Sequence, residues 1–168
     1  MLSLKSETKK SYFKDIYLAT RPKIKIEDDP ELREKLDIVY SNKTQVQLAQ
    51  WAIKLAKHTF ALFNYDYSSN EIITNGISVN ENWQRGKARV HDVRQAGFKI
   101  HRLAKICEDK GIQAALRVAG QAVGTGHKRE HVMVASDYAI KAINIKYPND
   151  QGAVKKERQW QIDSLDDY

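Results

Sequence analysis

Apolar residues along this chain recur every three or four positions in successive runs, the period of helices that bury one face. The clearest run follows Arg89. Val90, Val93, Gly97, Ile100, Ala104 and Cys107 step along one side, while Asp92, Gln95, Lys99, Arg102 and Asp109 fill the other. The spacing predicts an amphipathic helix with Cys107 on its buried seam, as an inert thiol; a reactive one needs exposure and basic surroundings. Earlier in the chain, Thr44-Gln45-Val46-Gln47 has the form of a capping box. Beyond it Gln47, Gln50, Lys54 and Lys57 are polar at helical spacing, while Val46, Ala49, Ile53, Phe60 and Phe63, with Leu48, Trp51, Ala52 and Leu55 beside them, are apolar. So narrow a polar stripe predicts a largely buried, central helix. Asp28-Asp29-Pro30-Glu31 is a start signal, because an Asp caps free amides and Pro fits the first turn; it opens a helix over 30–40 with Leu32, Leu36 and Val39.

The remaining elements are less regular. Residues 64–70 read as a loop rich in Asn, Asp and Ser, with Ser68 and Glu71 placed to cap the next helix. Over 71–86 the β-branched Ile72, Ile73, Ile77 and Val79 and the helix-weakening Gly76 leave a strand or two shorter helices open, but the helical neighbours favour helix. Lys110-Gly111 predicts a break, and Ile112, Ala115, Leu116, Ala119 and Val123 begin another helix. In it Gly120, Gly124 and Gly126 permit close approach of a neighbour and predict a bend near Thr125. A helix over 129–147 stops at Pro148, and Asp150 caps a polar C-terminal helix carrying Trp160, Ile162 and Leu165. Tyr12, Phe13, Ile16, Tyr17 and Leu18 form one short amphipathic stretch near the start. The sum is an all-α, single-domain helical bundle of about six to eight helices over residues 28–168, preceded by an N-terminal extension, residues 1–27, with a short helix.

Composition agrees with this pattern. Apolar residues make up 42% and charged residues 29% of the 168, with only 8 Gly and 3 Pro, which excludes a disordered or turn-rich sandwich chain. A domain of this length buries roughly 70% of its unfolded surface and is stable without disulfide or metal. The one cysteine, Cys107, rules out an intrachain disulfide and suits a reducing compartment. Residues 1–7 lack the apolar region of a secretory signal, and no run reaches the ~18 apolar residues of a membrane span. The expected location is the cytoplasm, away from membranes.

Charge changes the picture more. The net charge is +7, and residues 85–131, with 11 basic and 4 acidic side chains, account for all of it. Arg85, Lys87, Arg89 and Arg94 open this segment. Such a patch attracts nucleic acid, an acidic protein or anionic lipid, and a solvated helix face gives the same pattern.

The candidate chemistry is thin. Gly124-Thr125-Gly126-His127-Lys128 resembles a phosphate loop only superficially, since a Walker loop has four residues between its first Gly and Gly-Lys-Ser/Thr and comes after a strand. His127 and His131 stand at i and i+4, a spacing that suits a metal pair, with His101 as a third ligand if its helix packs alongside. Lys128 occupies the place of a zincin's Glu, so the hydrolytic base is missing. Asp15, Asp37, Asp92 and Asp137 are scattered singly, and no nucleophile elbow, helix-turn-helix, zinc finger or RNP pattern occurs. These residues give no argument for an enzyme or a cofactor. A basic nucleic-acid-binding module remains the alternative, with a His-ligated metal-dependent helical enzyme behind it.

Gln121-Ala122-Val123-Gly124-Thr125-Gly126-His127, then His131, then Ser136-Asp137-Tyr138-Ala139-Ile140-Lys141-Ala142 resembles the signature of the immunity-protein-5-like family of bacterial polymorphic toxin systems. Trp51-Ala52 with the apolar run to Phe63, the Ala96–His101 segment, and Glu157-Arg158-Gln159-Trp160-Gln161 are similar too, so the resemblance spans about residues 30–165. His101, His127, His131, Tyr138 and Trp160 are the signature positions. The resemblance implies an all-helical cytoplasmic protein that binds and neutralises a cognate toxin without catalysis. A nuclease toxin is disfavoured, because a nucleic-acid mimic should be acidic and this chain is +7. Under this reading Arg85, Lys87, Arg89 and Arg94 are rim contacts for an acidic toxin face, around an exposed aromatic anchor.

Overall fold

The computed structural model describes residues 19–168, and the short amphipathic stretch at Tyr12–Leu18 lies outside them. The described residues form seven α-helices, α1 (Pro30–Ser41), α2 (Gln45–Leu62), α3 (Glu71–Gln84), α4 (Val90–Ile106), α5 (Lys110–Gly124), α6 (His131–Lys146) and α7 (Gln151–Asp166), with a 3₁₀ turn at Tyr67–Ser69 and no strand. The fold is the all-α bundle that the periodicity predicts.

Several helix starts obey the local chemistry read from the sequence. Asp29 accepts from the Leu32 amide with Pro30 behind it, Thr44 and Gln47 complete the capping box of α2, and Asp150 accepts from the Ala153 amide. Elsewhere the boundaries shift. Asn70, not Ser68, caps α3, because its Oδ1 reaches both the Ile72 and Ile73 amides while Ser68 is held by Asp66. Residues 71–84 make one helix. The break after α4 falls at Cys107–Asp109, since Asp109 caps α5; Gly111 lies inside α5, where a Cβ would run into the Phe63 ring. Cys107 is accordingly half-buried at the extended C-cap of α4, its Sγ 3.4 Å from the Asp109 carbonyl, rather than on a buried seam. Val90, at the first position of α4, is 47% exposed.

Helix α5 is the centre of the bundle, packed against α4 and α6 and touching α2 and α3. Its inner residues are Ala114, Ala115, Val118, Ala119, Gly120, Ala122 and Val123, small enough for neighbours to come close. The bulk comes from α2, whose Leu48, Trp51, Leu55 and Phe60 are fully buried. Trp51 also donates from Nε1 to Ser164 Oγ at 2.8 Å, so its buried polar atom is paired across to α7.

On the side away from α4 the interior is ionic. Arg158, fully buried, donates to both Asp28 oxygens at 2.8 Å, to Asp137 at 2.8 Å and to Gln161 at 2.9 Å. Arg33 holds the same Asp137 through two bonds of 2.8 and 3.2 Å, and Asp37 accepts from Thr20 through the backbone N–H at 2.7 Å and the hydroxyl at 2.9 Å. This set ties residues 20–28 to α1, α6 and α7. The Asp37 and Asp137 that stand singly in the sequence thus meet around Arg33. Buried charge is tolerable when its lone pairs and protons are matched, as here.

Candidate functional site

Arg85, Lys87, Arg89 and Arg94 are all exposed, along the α3–α4 connection and the first turns of α4. Arg89 stands at the N-cap of α4, where the Asp92 carboxylate accepts from both its backbone amide and its guanidinium, an arrangement that consumes one of the positive charges locally. One turn on, the Arg94 guanidinium lies over the ring of Phe98, 5.3 Å from its centre. Phe98 is 43% exposed, unusual for so large an apolar ring. Val90, Arg94, Phe98 and Lys105 lie along one side of α4 at near-helical spacing, so an apolar-aromatic stripe runs through a basic face. A cation stacked on an exposed ring is a rigid amphipathic contact of the kind found at interface centres.

Behind this stripe the three signature histidines come together. Gly97 on α4 approaches so near to α5 that a Cβ would lie 3.2 Å from the Gly120 carbonyl, and a Cβ on Gly120 would lie 2.6 Å from the His101 ring. The glycines therefore do two things: they close the helix pair, and they let the imidazole of His101 lie flat on the α5 backbone. His131 packs similarly against Gly124, and the rings of His127 and His131 stack with centres 5.7 Å apart. A small cavity of about 30 Å³ remains, lined by Arg94, Phe98 and the three histidines above the glycines.

The hydrogen bonds fix the protonation of this cluster. Arg117 Nη1, which has only donors, sits 3.1 Å from His101 Nδ1, so that nitrogen accepts. The other His101 nitrogen, Nε2, lies 3.4 Å from the Gln121 amide nitrogen, and the oxygen of the same amide is 2.7 Å from His131 Nδ1. An amide oxygen only accepts, so His131 Nδ1 carries the proton and donates it to Gln121 Oε1. Neutral His131 is left with a bare Nε2 outside this chain of bonds, which becomes a donor only when the ring is protonated. Burial, then Arg117 and His131, push His101 down to about 4. Burial, then His127 and Lys128, also hold His131 below the usual histidine value. Both imidazoles are neutral near pH 7.

A metal centre does not result. His101 has both nitrogens engaged and His131 one, and among the described residues no three His, Cys, Asp or Glu side chains come together as a ligand set. Arg129, next to the pair, turns away to the Tyr40 and Lys43 carbonyls at 3.1 Å, which is why α6 begins at His131 rather than 129.

The other signature positions lie apart from this cluster. Tyr138 is half-buried against the main core. Trp160 stacks on His58 with ring centres 3.6 Å apart and planes 7° from parallel, and the buried Glu157 accepts from His58 Nε2 through both oxygens at 3.0 and 3.1 Å. His58, Arg117 and Gln121 are the partners that residue spacing did not single out. For Arg117 and Gln121 the local sign is Gly120, three residues after one and next to the other, because a glycine on an inner face makes room for a ring from the neighbouring helix; His58 has no such sign.

No helix among the described residues is long and apolar enough to cross a membrane. No curated protein and no solved structure matches the chain. The family model described as Imm-5 like putative immunity protein matches residues 39–168, from the end of α1 through α7 and including the whole histidine cluster, and the chain belongs to that family.

Proposed function

We propose that this chain is an immunity protein that binds a cognate toxin in the bacterial cytoplasm and neutralises it by contact, without catalysis. Membership of the family supports the immunity role. The observation that carries the binding mode is the Arg94–Phe98 stack, an exposed aromatic anchor within the basic face of Arg85, Lys87 and Arg89. A ring that leaves water on binding supplies affinity, and the surrounding charges steer an acidic partner into register. The domain over residues 28–168 is the whole binding unit in this reading.

The test is coexpression with the toxin domain encoded beside the gene. Cell survival and copurification in equal amounts are expected, and Phe98→Ala should weaken the complex at least tenfold, the minimum for an anchor worth more than about 1.4 kcal/mol. Reversing Arg85, Lys87 and Arg94 should slow association and flatten its salt dependence. No rescue and no complex, together with salt-steep binding to duplex DNA or RNA, would replace this reading with a nucleic-acid-binding one.

A further inference from the structure

The small cavity behind Phe98 is walled by imidazoles and a guanidinium in a place where apolar side chains would pack more cheaply, and the charges around it are nearly all of one sign. Facing His131 are Arg94 and His101 from α4, Gln121 from α5, His127, Lys128 and Glu130 from the turn before α6, and Lys23 from the N-terminal segment, while Arg117 lies behind His101. Glu130 is the only acid among them. The cavity's volume of about 30 Å³ is roughly twice the space one water needs, which suits the head of a carboxylate and excludes anything larger.

We propose that this cavity is a carboxylate site, and that it receives the side chain of an Asp or Glu of the bound toxin beside the ring of Phe98. The toxin part rests on the immunity reading above; the carboxylate site does not. The donors are the guanidinium of Arg94 at the mouth and, once the imidazole is protonated, His131 Nε2–H, since Nδ1 already donates to Gln121. Gln121 Oε1, which can accept from His131 Nδ1–H in the neutral ring and in the imidazolium alike, holds the ring in that orientation, so Gln121 is a positioning residue. A buried anion beside His131 reverses the effect of its cationic neighbours and favours the imidazolium. Binding therefore takes up a proton, and affinity rises as the pH falls toward and through the ordinary histidine range.

Two measurements separate the two parts. In the free protein, the ring resonances of His131 are tracked by NMR against pH in sodium formate and in sodium chloride of equal ionic strength. Formate should raise the His131 midpoint by about half a unit or more, and Arg94→Gln, an exposed change that leaves the fold intact, should remove most of that rise. Equal midpoints in the two salts would overturn the carboxylate site, whatever the toxin does. With the toxin domain, the dissociation constant should fall between pH 7.5 and 6, by at most about tenfold per unit for one proton, and His131→Asn should flatten the profile. A tight complex with no such pH dependence would overturn the placement of a toxin carboxylate in the cavity. Absence of any complex would instead remove the immunity reading and leave the formate result to decide the site.

Discussion

Two regions of this bundle bury polar groups, and they do so in opposite ways. Around Arg158 the interior is charged, with Arg33, Arg158, Asp28, Asp37 and Asp137 answering one another at 2.8–3.9 Å and with Ser136, Gln161 and Thr20 taking up remaining bonds. Around His101 and His131 the imidazoles are neutral, kept so by burial first and nearby cations second, and the cavity opens at one end beneath Phe98. The first arrangement matches charge with charge and locks the N-terminal segment to α1, α6 and α7. The second leaves positive potential uncompensated, which makes it a place where an anion can bind. Burial of polar groups alone therefore does not mark a functional site; incomplete compensation does.

The largest effect should come from breaking the closed network. Arg158→Ala leaves Asp28 and Asp137 buried without their shared cation, and unfolding by urea should show a loss of about 3–5 kcal/mol. A loss under about 1 kcal/mol would mean that the charges there are not mutually dependent.

Acid should act on the histidine region. His101 takes its proton near 6.5 in the unfolded chain but only at about 4 when folded, so between those values the unfolded state holds more protons. Its stability contribution is complete above pH 6.5 and is lost as the pH falls to about 4, amounting to about 2 kcal/mol once the ring's partial exposure is allowed for. His131 adds to the same trend. Thermal unfolding across that range should therefore slope less in His101→Gln than in the parent; parallel slopes would place the acid sensitivity elsewhere.

A smaller change tests the glycine packing. Gly120→Ala gains helix propensity of about 1 kcal/mol but pushes the His101 ring off the α5 backbone, and the net should be a loss of about 1 kcal/mol with a displaced His101 resonance. Net stabilisation with an unmoved ring would show that the seat is loose. Smallest of all, Arg85→Glu or Lys87→Glu should alter stability by no more than about 0.5 kcal/mol, since both side chains are exposed, while still changing the rate of toxin association.

Much of the helical frame is legible residue by residue. Asp29-Pro30, Thr44 with Gln47, and Asp150 announce helix starts because caps act on amides within one turn of themselves. The places where that reading slips are those where two local candidates compete, as Ser68 and Asn70 do for α3, or where the next helix's cap decides the last one's end, as Asp109 does for α4 and Cys107. The basic run from Arg85 is equally visible, because exposure of charge is the rule and needs no partner to be inferred. That Arg94 and Phe98 stack within it required the α4 surface to be seen.

The sequence by itself determined the all-α class, most helix starts, the location of the positive charge and the i, i+4 pairing of His127 with His131. Only the tertiary structure decided that His101 joins that pair through Gln121, that Asp28, Arg33, Asp137 and Arg158 form one set although far apart in the chain, and that Trp160 rests on His58. The reason is range: helical period and capping act over three or four residues, whereas these contacts depend on which helices lie side by side. That choice is made by the small residues of α5 and the large ones of α2 packing together, a property of the whole core rather than of any stretch of it.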